Sequence, residues 1–198
     1  MYRFSNITHL IILGCLCLII SGCTYAPYRY SFSLVEPKSE ALNFEDSNVH
    51  FRFVPSPEKI QVTIRNKTDQ KINLVRDKAE FINHLGESSR VVYGNNFSSE
   101  IRLHADNRLY DPPMSIDPNS EITGNVWINV WLDFSMLQGR RTNISEVDYY
   151  MQPFFPRYSH EGKGEDLKDS TFKLILPIDF DGKISNYKFT FMINDVVE

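Results

Sequence analysis

The chain has 198 residues, 21 Lys+Arg against 25 Asp+Glu, a net charge of −4, and hydrophobic and aromatic contents of 42% and 13%. Mild acidity without a basic cluster argues against binding to nucleic acid or docking on a membrane through a polybasic patch. The composition is that of a globular protein rather than a disordered tail, and the length fits one domain at ~100–200 residues per domain.

The N-terminus carries the most specific signal. Leu10 to Ile20 is an unbroken apolar run, preceded by Arg3 and followed by Ser21-Gly22. It is too short for a bilayer-spanning helix, which needs ~20 apolar residues. A charged start, a short apolar centre and a small-residue exit describe a secretory signal peptide, with an uncleaved N-terminal anchor as the other reading. The exit Ile20-Ser21-Gly22-Cys23 resembles the lipobox of bacterial lipoproteins. The resemblance implies cleavage before Cys23 and acylation of Cys23, which then becomes the first residue of the mature protein. Two or more acyl chains hold a protein stably in a lipid bilayer. In diderm bacteria that sort by the next position, Thr24 implies delivery to the outer membrane. Removal of residues 1–22 takes Lys+Arg from 21 to 20 against 25 acids, a net charge of −5. Cys15 and Cys17 leave with the signal and Cys23 is modified, so no disulfide and no cysteine metal site is expected.

Residues 23–46 read as the lipidated N-terminus and a tether, with Tyr25, Tyr28, Tyr30 and Phe32 among prolines, serines and charges. Those rings either form a stacking surface near the membrane or dock on the domain or in the lipid interface. Residues 47–198 read as the domain. Val49, Phe51 and Phe53 alternate with polar residues, as do Ile60, Val62 and Ile64, and then Ile72 and Leu74. This is the period of half-buried strands. The polar run 66–70 predicts a hairpin with a five-residue loop between the last two. Ala79–Ile82 and Arg90–Tyr93 are further short strands, 94–119 is irregular with at most a helical turn near Glu100, and Glu121–Leu132 is a long strand. Residues 133–170 lack regular pattern, and long structureless loops are usually functional or disordered. Phe172 to Phe180 and Tyr187 to Ile193 alternate on either side of Asp181-Gly182, a strong hairpin signal, with Pro177 expected at an edge or bulge.

Seven or eight short strands with turn signals and no amphipathic helical period predict an all-β, antiparallel β-sandwich. The run from Ile64 to Ile72, then Phe81-Ile82, Gly86, Arg90-Val91-Val92 and Ser115 to Ser120, resembles immunoglobulin-like domains of uncharacterised bacterial lipoproteins. That resemblance implies an immunoglobulin-like form of the sandwich. It implies no common activity and transfers no functional residue.

Motifs for chemistry are incomplete. Gly86-Glu87-Ser88-Ser89-Arg90 has half of a nucleophile elbow, and Gly162-Lys163-Gly164 lacks the third glycine of a dinucleotide loop. His50, His84, His104 and His160 form no H-x-x-x-H pair. His104 and Asp106 fit a loop better than a metal site, and Asp179, Asp181 and Gly182 fit a turn better than a calcium loop. No metal or other cofactor is expected. Catalytic carboxylates can come from distant parts of a chain, so a hydrolase acting on an envelope polymer stays open. The candidate site is aromatic. Trp127 and Trp131 share the strand face opposite Val126, Ile128 and Val130, and Tyr149, Tyr150, Phe154, Phe155 and Tyr158 follow in a proline-rich loop. Either the loop folds over the tryptophans as a satellite core, or these residues form an exposed binding patch. The expected partners are the bilayer through Cys23 and an envelope protein or glycan, in a non-enzymatic role.

Overall fold

A computed structural model describes residues 26–97, 99–100, 112–128 and 152–198. Twelve strands lie among the described residues. They are β1 (Arg29–Glu36), β2 (Lys38–Ser39), β3 (Asn43–Glu45), β4 (Val49–Pro55), β5 (Ile60–Asn66) and β6 (Ile72–Leu74). They continue with β7 (Glu80–Ile82), β8 (Ser88–Gly94), β9 (Met114–Ile116), β10 (Glu121–Ile128), β11 (Thr171–Phe180) and β12 (Lys183–Val197). Short 3₁₀ turns occupy Arg76–Lys78 and Gly164–Leu167. Every pairing is antiparallel. Among the described residues no helix is long and apolar enough to cross a membrane.

The sheet runs β2-β1-β12-β11-β7-β8-β10-β5-β4-β3, with β6 on β11 and β9 on β6. The strand β8 belongs to both halves of this path. Its first residues, Ser88–Arg90, pair with β7, and Val91–Gly94 pair with β10. The sheet therefore turns back on itself around β8. Its inward rows meet: Phe53 of β4 lies 4.6 Å from Phe189 and 5.2 Å from Phe191 of β12, and Phe51 lies 5.0 Å from Phe189. Ile60, Val62 and Ile64 of β5 and Leu174, Leu176 and Ile178 of β11 are buried in the same core. Large apolar side chains at every second position make these strands, because only one face can be buried. Gly124 is fixed by this packing: a Cβ there would lie 2.6 Å from the Tyr93 ring.

Twelve strands among the described residues replace the seven or eight expected, and three further expectations change. The stretch read as a tether supplies β1, β2 and β3, and β1 runs beside β12 from Arg29 opposite Val197 to Glu36 opposite Thr190. The physical reason is a period-two run, Tyr28, Tyr30, Phe32 and Leu34: the last three pack inward on Phe155 and the core, and Tyr28 is buried edge-on against Tyr30. Next, β5 and β6 are not a hairpin: β5 pairs with β4 and β10, β6 with β11 and β9. Asn66 continues the inward row of β5 and carries the chain across to the other layer. Its amide nitrogen donates to the carbonyls of Gln70 at 2.7 Å and of Ile116 and Asp117 at 3.1 Å. Finally, Pro177 is at neither an edge nor a bulge. It pairs in register with Asn186, and its other side faces the gap between β7 and β6. No N–H is needed there, and the Pro177 carbonyl accepts from Val75 N–H at 2.9 Å.

The β11–β12 hairpin forms as read. Asp181 and Gly182 have φ of 52° and 86°, and Phe180 pairs with Lys183. Of the strand expected over 121–132, β10 covers Glu121–Ile128 and the remainder lies outside the described residues.

Candidate functional site

Strand directions give the fold two ends. One end gathers the start of β1, the end of β12, the β4–β5 loop, the β7–β8 loop and the segment 152–170. The other gathers the Asp181-Gly182 turn and the connections β3–β4, β5–β6 and β9–β10.

At this second end the outer face of β3, β4 and β5 carries an open groove of about 450 Å³, lined by Glu45, His50, Arg65, Lys67 and Asn119. Register builds it. Glu45 stands opposite His50, His50 opposite Arg65, and Arg65 opposite Glu121, so four strands place charged or imidazole side chains in one row. These are the outward positions that alternate with Val49, Phe51 and Ile64. Lys67 reaches back from the end of β5, donating to Glu45 Oε1 and to the Asp46 carbonyl, each at 2.6 Å. The Lys67 ammonium holds the Glu45 carboxyl below its ordinary range. Glu45 is thus an ionised acceptor already engaged, while His50 and Arg65 present donors toward the groove. The arrangement suits recognition of polar or anionic groups rather than proton transfer from Glu45.

The first end is closed by a strap. Phe154 N–H donates to the Pro57 carbonyl at 2.7 Å, and Tyr28 N–H to the Arg157 carbonyl at 2.8 Å. The Tyr28 hydroxyl donates to Glu165 at 2.9 Å and the Tyr30 hydroxyl to the Pro156 carbonyl at 2.7 Å. Desolvation, with Glu165 beside it, pushes the Tyr28 hydroxyl above the ordinary phenol value. Arg157 donates to Glu161 at 2.6 and 3.0 Å and to Glu58 at 3.1 Å, which draws the Glu161 carboxyl below its usual range. Gly164 lets the strap lie this close, since a Cβ there would sit 2.6 Å from the Tyr30 hydroxyl.

The aromatic candidates divide among different places. Trp127 is 4% exposed and lies on the face of β10 opposite the core residue Val126, as its register requires. The ring edge of Phe97 covers it at 5.6 Å. Phe155, 2% exposed, packs on Phe172 at 5.0 Å and Tyr30 at 5.7 Å, and Phe154 on Phe81 at 4.4 Å. The rings near Trp127 and those of the strap thus belong to separate clusters. Tyr158 is half-buried and stacks on His160 at 5.4 Å. Cys23, Trp131, Tyr149 and Tyr150 lie outside the described residues, as do His104 and Asp106. His84 is exposed in the β7–β8 loop, and Asp179 accepts from Gly182 N–H at 2.7 Å as a turn residue. Among the described residues no three His, Cys, Asp or Glu side chains are grouped to hold a metal ion.

The groove escaped the sequence reading because its residues come from three strands and two loops. Its only local trace is a run of outward basic positions, His50, Arg52 and Arg65, on strands identified by their inward rows. Neither a family model nor a curated protein nor a solved structure matches the chain.

Proposed function

We propose that the protein is a cell-envelope lipoprotein, anchored in a lipid bilayer through acylated Cys23, whose domain binds an envelope protein or glycan without catalysing a reaction. The observation that carries the anchor is the run Leu10–Ile20 followed by Ser21-Gly22-Cys23. An immunoglobulin-like sandwich is the finer form of the fold in this proposal. What supports it is two layers of antiparallel strands facing each other across one aromatic core. Binding is favoured by the open charged groove, whose carboxylate Glu45 is occupied by Lys67. Delivery to the outer membrane follows if the host is diderm and sorts by Thr24.

Feeding cells a clickable fatty acid tests the anchor. The wild-type protein should take up label and fractionate with membranes, and Cys23→Ala should do neither. A Cys23→Ala protein that still labels would overturn the reading. For the groove, Arg65→Gln should abolish partner cross-linking in intact cells while leaving the melting temperature within a degree or two, because Arg65 is exposed on the outer face.

A further inference from the structure

A tether of residues 23–46 would let the domain roam. With the domain starting at 47, the chain from Cys23 could extend about 80 Å at ~3.4 Å per residue. The structure places the first fixed residue much earlier. Tyr28 is buried and bonded through both its N–H and its hydroxyl to the 152–170 segment, and β1 follows at once, paired along its length with β12. Five residue steps separate Cys23 from Tyr28, a reach of at most about 17 Å. That is about half the length of β11, whose ten residues span about 33 Å.

The geometry points to a domain held end-on against the bilayer: the end formed by Tyr28, the 156–168 strap and the last residues of β12 faces the lipid headgroups. The charged groove of Glu45, His50, Arg65 and Lys67 then faces away, roughly one strand length (about 30 Å) from the headgroups. This rests on the lipid-anchor reading of Cys23. The tether imposes the contact, not charge. Arg157 at this end is engaged by Glu161 and Glu58, and Lys168 by Asp195 at 3.0 Å, so two of its basic groups are already paired with acids of the same surface, while Arg29, Lys59 and Lys163 are exposed. Leu85 in the β7–β8 loop and Val197 at the end of β12 are exposed here, at 70% and 52%, and can settle into the interfacial layer.

The test uses the full-length protein, acylated in cells and reconstituted in phosphatidylcholine vesicles that carry a headgroup quencher. Acylated Cys23 leaves an introduced thiol as the labelling site. Lys163→Cys reports from the strap end and Lys183→Cys from the groove end, both at exposed positions. Flotation with vesicles comes first: a protein that does not float overturns the anchor reading and the orientation with it. In floating protein, the label at residue 163 should be quenched several-fold more than the label at 183. Twenty Gly/Ser residues inserted after Ala26, an added reach of about 25 Å, should remove most of that contrast. Equal quenching without the insertion would overturn the orientation and leave the anchor standing. Contrast that appears only when phosphatidylserine is added would also overturn it, since electrostatic docking would then be responsible.

Discussion

Asn66 and Phe180 each end an apolar alternation and each precede a polar turn, yet the chain returns along its own strand after one and changes layers after the other. After Phe180, Asp181 and Gly182 adopt φ of 52° and 86°, a two-residue turn whose twist matches that of the strands it joins. Its bonding is local: Asp179 accepts from Gly182 N–H, and Phe180 pairs with Lys183. After Asn66 the bonding is remote. The Asn66 amide holds the carbonyls of Ile116 and Asp117, fifty residues away, and Lys67 N–H donates to the Asn48 carbonyl at 2.8 Å. Asn66 also caps its own loop, accepting from Thr68 N–H at 2.9 Å. Phe180 continues an inward row as Asn66 does, so the two turns differ in the chemistry of that last side chain. An inward amide recruits distant backbone, whereas an inward ring offers no hydrogen bond and leaves its turn to close on itself.

Breaking the remote corner should cost most. Asn66 is fully buried, and Asn66→Ala takes the side-chain donor from the Ile116 carbonyl and the acceptor from Thr68 N–H, while the Gln70 and Asp117 carbonyls keep bonds from Thr68 and Ser120. At 1–3 kcal/mol per buried unsatisfied group, and with part of this recovered by water, a loss of about 3 kcal/mol is expected in chemical denaturation. A loss below ~1 kcal/mol would show that the corner holds without Asn66. Gly182→Val tests the local turn: a β-branched residue at positive φ should cost about 1–2 kcal/mol, and an unchanged melting temperature would count against the strained turn. Asp179→Ala removes one exposed hydrogen bond from the same turn and should lower stability by about 0.5–1 kcal/mol in the same melts.

The smallest effect is pH-dependent. Lys67 beside the remote corner holds the Glu45 carboxyl below the ordinary value of 4.5. A carboxyl depressed in the folded state contributes its full stabilisation above pH 4.5 and loses it as pH falls through the folded value. Lys67→Met should therefore lower the melting temperature slightly at pH 7, with the difference from wild type closing as pH falls below 4.5. A difference that persists at pH 3 would trace to the Lys67 bond with the Asp46 carbonyl instead.

Period-two patterning made β4, β5, β11 and β12 legible, because each buries one row of large apolar side chains against the core. The same pattern was present in Tyr28, Tyr30, Phe32 and Leu34, but Pro27 and Pro37 around it favoured a tether. Pairing was less legible than the strands themselves. The partner of β1 is β12, more than 150 residues away, and no local signal specifies such a contact. Alternation fixes the face of Trp127 relative to the core residue Val126, but what covers a face depends on packing between segments. For the same reason the strap rings Phe154 and Phe155, close to the tryptophans in the expected arrangement, lie against β7 and β11 instead.

The pairing of β1 with β12 also has a consequence in time. A chain made from its N-terminus produces β1 first and β12 last, so Tyr30, Phe32 and Leu34 emerge long before the strand that covers them. The hairpin of β11 with β12 can form as soon as its own residues are available, because its contacts are close in sequence. Its far edge then waits for a segment already present, and docking of β1 closes a loop of nearly the whole domain. That late closure ties the first described strand to the last, and until it happens the aromatic row of β1 remains open to other contacts.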